Sequence, residues 1–145
     1  MQASLLFVTS RSIPTYQASS SNGRIVLTSE NEKNKRILFV DDDLSILELY
    51  EAIFARLPYE IICHSDPLEA VRFLKNEKVD VIISDFSMPK LNGLGLLETI
   101  RKKKYHLGCF ILVSGKIVDP AEGLTEIFSK PIPFTKLINF IKENA

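Results

Sequence analysis

Cysteine is scarce in this chain of 145 residues, with only Cys63 and Cys109 present. Two thiols make neither a disulfide scaffold nor a four-thiolate zinc site. Net charge is lacking as well, because 18 basic residues balance 18 acidic ones. That balance argues against a globally basic nucleic-acid binder and against a highly charged disordered chain. Proline and glycine, at 7 and 6 residues, are too few for a low-complexity or collagen-like chain. No apolar run reaches the roughly 20 residues that span a bilayer. No membrane insertion is therefore expected, and the cytoplasm is the expected compartment. What is present is 46% hydrophobic residues, at a length that suits one ordinary domain with a buried core.

Charge divides unevenly along the chain. Residues 1–35 carry four basic and two acidic side chains, with seven serines and three threonines. Their one sizeable apolar run is Leu5-Leu6-Phe7-Val8, and the first basic residue, Arg11, comes too late for a secretory signal. Residues 1–35 are expected to be a poorly ordered N-terminal extension, with a short strand or partner-binding arm at residues 24–28 as the alternative.

From Arg36 the pattern becomes regular. Ile37-Leu38-Phe39-Val40 is apolar on both faces, as a buried parallel strand is, and ends in Asp41-Asp42-Asp43. Residues 45–57 place Ile46, Leu47, Tyr50, Ile53, Phe54 and Leu57 at helical spacing, with Ser45 and Glu48 spaced as a capping box. Residues 60–63 read as a strand. Asp66-Pro67-Leu68-Glu69 opens a helix reaching about Asn76. Residues 79–84 read as a second doubly buried strand, ending at Asp85. Residues 93–103 read as a helix, 109–113 as a strand ending at Ser114-Gly115, 127–129 as a last strand ending at Lys130, and 134–142 as a final helix.

Strands alternating with helices predict a three-layer α/β domain over residues 36–145, its parallel sheet covered on both sides. Flavodoxin-like folds supply, by analogy, a five-stranded order of 2-1-3-4-5, with ligands beyond the carboxyl ends of the strands. Those ends carry Asp41-Asp42-Asp43, Asp85, Ser114 and Lys130. Carboxylates brought this close repel one another unless a cation joins them. Oxygen ligands without a nearby thiol or second histidine select a hard ion, Mg²⁺ or Mn²⁺. A metal, an ammonium and a hydroxyl around one carboxylate stabilise a phosphoryl group in transfer, with a carboxylate oxygen as nucleophile.

Four motifs stand in order: Ile37 to Asp43; Asp80-Val81-Ile82-Ile83-Ser84-Asp85-Phe86-Ser87-Met88-Pro89 with Gly93; Phe110 to Gly115; and Ser129-Lys130-Pro131. With them, residues 36–145 resemble a receiver domain of the bacterial two-component response-regulator family, especially its single-domain members. The resemblance implies that Asp85 is the phosphoacceptor, loaded by a histidine kinase or histidine phosphotransfer protein. It implies that Asp42 binds Mg²⁺ directly, Asp41 through water and Ser87 through its backbone carbonyl. Ser114 and Lys130 would hold the phosphoryl oxygens, the Lys130–Pro131 peptide would be cis, and phosphorylation would shift the domain's binding of a downstream protein. Catalysis would extend only to its own phosphorylation and dephosphorylation. No output domain follows Ala145, so direct nucleic-acid contact is not expected.

Two departures from the family lie on its usual output side. Lys130 comes only 16 positions after Ser114, and residues 118–124 hold Pro120 and Gly123, so the fourth helix is expected to be short, irregular or missing. Ile127 stands where many receivers carry an aromatic residue that swings inward, and Phe128 should point to the opposite face. Other residues carry plainer expectations. Asp43 is read as a helix cap, His64 as a satisfied strand-end histidine and His106 as a loop residue. Residues 101–104 are read as a solvated helix end, and Cys63 and Cys109 as free core thiols. Lys116 is read as loop surface, or else as an ammonium laid against the phosphoryl oxygens. Two rival functions remain open: a receiver-like module that works without phosphorylation, and a haloacid-dehalogenase-type phosphatase using Asp41-Asp42-Asp43. The latter needs a further acidic pair after a late strand, which Asp119, Glu122, Glu126 and Glu143 do not form.

Overall fold

The computed structural model describes residues 3–6, 15–21, 23–29, 34–105 and 108–145. His106 lies outside the described residues. The chain divides into two compact units, Met1–Asn34 and Lys35–Ala145.

In the first unit, β1 (Ala3–Leu6), β2 (Thr15–Ser21) and β3 (Arg24–Ser29) form an antiparallel sheet in the order β1-β2-β3. The expectation for residues 1–35 is a poorly ordered extension, and β3 falls on the alternative strand at residues 24–28. The sequence signal for the hairpin is Asn22-Gly23, the residue pair that favours a tight turn between strands. Gly23 has φ 73, a left-handed conformation that glycine adopts without a side-chain clash.

The second unit holds β4 (Lys35–Val40), α1 (Leu44–Phe54), β5 (Tyr59–His64), α2 (Pro67–Leu74), β6 (Val81–Asp85), α3 (Gly93–Lys102), β7 (Cys109–Ser114), β8 (Glu126–Ser129) and α4 (Phe134–Asn144). Its sheet runs β5-β4-β6-β7-β8, all neighbours parallel, which is the flavodoxin-like order 2-1-3-4-5. Alternate residues of the central strands divide the core into two layers. Leu38, Val40, Ile82, Phe110 and Leu112 pack with α2 and α3. Ile37, Phe39, Val81, Ile83, Ile111 and Val113 pack with α1 and α4. Both faces of β4 and β6 are therefore covered, which is why their sequences are continuous apolar runs.

At the start of α1 one detail differs from the sequence reading. Asp43 caps α1, as its reading as a helix cap anticipates, accepting from the Ser45 backbone N–H at 2.9 Å and the Ser45 hydroxyl at 2.6 Å. The helix begins one residue earlier than expected, Ser45 falls inside its first turn, and the capping box with Glu48 does not form. Between β7 and β8 there is no helix, in keeping with the short, irregular or missing fourth helix expected there. Residues 115–125 form a loop whose Val118 and Leu124 pack against the core layer that α2 and α3 cover. Thr125 closes it, its N–H donating to the Phe110 carbonyl at 2.8 Å and its hydroxyl accepting the Phe110 N–H at 2.9 Å. Ile127 and Phe128 enter opposite core layers, as strand alternation requires. The two cysteines are free, half-buried and on non-adjacent strands β5 and β7.

Candidate functional site

Strand order brings the ends of β4, β6 and β7 together at the carboxyl edge of the sheet. Asp41 follows β4, and its N–H donates to the His64 carbonyl at 3.3 Å. Its Oδ1 accepts the Asp43 N–H at 2.9 Å. The residue is 3% exposed. Burial, reinforced by the charge of Asp85 and opposed by the Asp43 N–H, lifts its pKa from 3.8 to about 6. Asp42 is exposed beside it. Asp85, 7% exposed, ends β6. Oxygens of Asp41, Asp42 and Asp85 lie within 4.8 Å of one another.

Lys130 stands against this cluster, its Nζ 2.8 Å from Asp85 Oδ1. Burial opposes the ammonium's charge. The hydrogen bond to Asp85 and the fields of Asp85, Asp41 and Asp42 outweigh it, and the Lys130 pKa is raised. The lysine is positioned by the β7–β8 pairing, in which Ser114 lies opposite Ser129, and by its N–H donating to the Ser114 carbonyl at 2.9 Å. The Lys130–Pro131 peptide is cis. Ser114 is 2% exposed. Its Oγ accepts the Lys116 N–H and donates to the Lys116 carbonyl, both at 3.0 Å. Lys116 thus meets Ser114 through its backbone, while its side chain belongs to an exposed residue.

Behind Asp85 the chain turns sharply. The Phe86 N–H donates to the Val113 carbonyl, and the Gly93 N–H to the Phe86 carbonyl, each at 2.9 Å. A Cβ on Gly93 would meet Leu112 Cδ1 at 2.4 Å and the Asp85 carbonyl oxygen at 2.6 Å, so only glycine allows α3 to start this close to the acceptor strand. Ser87 is exposed in the loop this turn creates. Lys90, at φ 69, fastens the loop to the start of α2 through Asp66, at 2.9 Å.

The structure gathers Asp41, Asp42, Asp85 and Lys130, with Ser114 on the adjoining strand. None of Asp119, Glu122, Glu126 and Glu143 joins the acidic group among the described residues. Two neighbours escaped the sequence reading. Tyr50, stacked on Phe39 with ring centroids 4.1 Å apart, has its hydroxyl pKa raised by burial and by the charges of Asp41 and Asp85. Its place on the inner face of α1 was legible, but its nearness to the acids was not. His64 ends β5 as expected, but its Nε2 is buried without a protein hydrogen-bond partner among the described residues, so the reading of a satisfied histidine is corrected. Its ring packs against Phe73, centroids 5.2 Å apart.

Three carboxylates with a burial-raised pKa among them are a donor set that fits a hard divalent cation, which would offset their repulsion. No described helix is long and apolar enough to cross a membrane.

Residues 37–142 match the family described as Response regulator receiver domain. The chain is 32% identical over 103 residues to the alkaline phosphatase synthesis transcriptional regulatory protein PhoP of Bacillus subtilis, covering 68% of this chain and 43% of that protein. It is 33% identical over 93 residues to the probable transcriptional regulator ycf27 of Guillardia theta, covering 64% of this chain and 37% of that one. It thus spans less than half the length of these relatives. Among solved structures, a response regulator receiver domain protein of Clostridium thermocellum superposes with a TM-score of 0.67 at 29% identity, over 76% of this chain and 93% of that one. The chemotaxis response regulator CheY4 of Vibrio cholerae shares the fold, with a TM-score of 0.69 at 22% identity, over 78% of this chain and 100% of that one. With the acidic cluster, the paired lysine and the 2-1-3-4-5 sheet all within the matched residues, this chain belongs to the receiver-domain family of two-component response regulators.

Proposed function

We propose that Asp85 is the phosphoacceptor of this receiver domain. The observation that carries the reading is the Lys130–Asp85 pair, at 2.8 Å, beside the Asp41–Asp42–Asp85 cluster. An Asp85 carboxylate oxygen attacks the phosphorus of a phosphohistidine on a histidine kinase or phosphotransfer protein. The P–N bond breaks as the P–O bond forms, its electron pair going to the ring nitrogen, and with one proton taken up from solvent by the ring the products are an acyl phosphate and a free imidazole. Lys130 keeps its proton throughout and neutralises charge on the phosphoryl oxygens. The Ser114 hydroxyl exchanges its donation to the Lys116 carbonyl for one to a phosphoryl oxygen. Asp42 and Asp85, with the Ser87 carbonyl and with Asp41 through water, would hold Mg²⁺ (Mn²⁺ is the alternative). When bound, the metal supplies positive charge to the transferring phosphoryl group. The domain is a signalling module that acts only on itself, and its output is altered binding of a downstream protein.

A second reading, a module that works without phosphorylation, draws on the loop at residues 115–125. With no helix between β7 and β8 and with Ile127 half-buried, the aromatic relay that many receivers use is not available at that position. Acetyl phosphate separates the two readings. With Mg²⁺ the protein should gain one phosphoryl group and Asp85→Asn none. An unlabelled wild type, or a variant labelled as fast, would overturn the proposal.

A further inference from the structure

At the other end of the sheet, where β6 and β7 begin, the segments following α2 and α3 enclose a cleft of about 190 Å³. Its polar lining is Lys75, Asn76, Glu77, Lys78, Lys104 and Tyr105. The one carboxylate among them, Glu77, is held by Arg36 Nη1 at 2.9 Å. Lys75, Lys78 and Lys104 enter no ion pair among the described residues. The carboxyl-terminal ends of α2 and α3 each offer about half a negative charge, which answers roughly one of the three ammonium groups. About two positive charges are left without a partner.

Lys104 adds an independent observation. It closes α3 in a left-handed conformation, φ 55. Its N–H donates to the Arg101 carbonyl at 3.0 Å, and the Tyr105 N–H to the Ile100 carbonyl at 3.2 Å. Glycine is the residue that this helix-ending turn favours. A lysine is conformationally disfavoured there, yet it brings a third cation to the cleft. Disfavoured backbone of this kind collects at binding sites.

We propose that this cleft binds a small phosphate-bearing anion of about the size of a diphosphate, at a site separate from Asp85 and independent of its phosphorylation. Three ammonium groups, the Asn76 amide and the Tyr105 hydroxyl are all able to donate to phosphate oxygens. A small half-open cleft between two chain segments, lined by exposed lysines, suits a compact anion better than the extended backbone of a nucleic acid.

The test titrates the full chain with pyrophosphate and, separately, with ADP. Chelator is present so that no divalent metal draws phosphate to the acidic cluster. Calorimetry and amide NMR shifts are the readouts. The expected result is saturable binding that weakens as salt rises, with shifts at Asn76, Lys78, Lys104 and Tyr105. Lys104→Gly supplies the residue this backbone favours, so it should melt no lower than the parent while its affinity falls roughly three- to fivefold. Lys75→Gln should weaken binding similarly. Tighter binding of ADP than of pyrophosphate would identify a nucleoside diphosphate, and equal binding the diphosphate group alone; both support the site. The proposal is overturned by absence of saturable binding, by unchanged affinity in both variants, or by shifts confined to the surroundings of Asp85 and Lys130. Binding of an oligonucleotide but not of pyrophosphate overturns it as well.

Discussion

Replacing Asp41 by asparagine should stabilise the metal-free protein while removing part of its response to magnesium. Asp41 is 3% exposed, and its pKa rises from 3.8 to about 6 on folding. The folded protein therefore holds this proton more tightly than the unfolded chain, and stability falls as pH rises from 3.8 through about 6. At 1.36 kcal/mol for each tenfold change in proton affinity, the ionised carboxylate costs up to about 3 kcal/mol above that range. Asparagine keeps an oxygen for the Asp43 N–H and carries no charge. Urea unfolding in chelator should show the variant more stable by roughly 1–3 kcal/mol at about pH 7.5. The gap should close by about pH 4, where the parent carboxyl is itself protonated. Added magnesium should raise the parent's midpoint more than the variant's. A variant no more stable at the higher pH, or a gap indifferent to pH, would refute the argument from desolvation and repulsion.

Gly93→Ala must push Leu112 or the end of β6 aside, since its Cβ would lie 2.4 Å from Leu112 Cδ1 and 2.6 Å from the Asp85 carbonyl oxygen. A loss of about 1–3 kcal/mol in urea unfolding is expected, with slower labelling by acetyl phosphate because the acceptor strand moves. Burial, with the charge of Glu51 beside it, pushes the Cys63 thiol up to about 12. Iodoacetamide at about pH 8 should therefore modify Cys63 slowly in the native protein and quickly once urea unfolds it, followed by peptide mapping.

The parallel sheet was legible because β4 and β6 are buried on both faces, which leaves runs such as Ile37-Leu38-Phe39-Val40 with few other readings. The site followed from the same strands, since residues that end parallel strands converge whatever the loops do. Pro120 and Gly123 announced the missing helix between β7 and β8. Other features were hidden for physical reasons. Asp43, third in a run of acids, is legible as the cap of α1, but the capping-box spacing of Ser45 and Glu48 points to a helix start one residue after the observed Leu44. The hairpin in Met1–Asn34 has serine-rich strands with little apolar contrast, and its turn signal, Asn22-Gly23, is only two residues long. Tyr50 reads as one more core aromatic, and only the packing of α1 on β4 shows that it lies within the field of Asp41 and Asp85. The strand-end spacing of His64 says nothing about whether Nε2 finds a partner, which depends on where Phe73 of α2 comes to rest.

Borohydride trapping identifies the phosphorylated residue itself. Reduction of an aspartyl phosphate converts that residue to homoserine, so peptide mass spectrometry after treatment with acetyl phosphate, magnesium and borohydride names the acceptor. Homoserine is expected at position 85, and none when the acceptor is removed by Asp85→Asn. Homoserine at position 41, 42 or 43, or at none of the four aspartates, would contradict the assignment of Asp85.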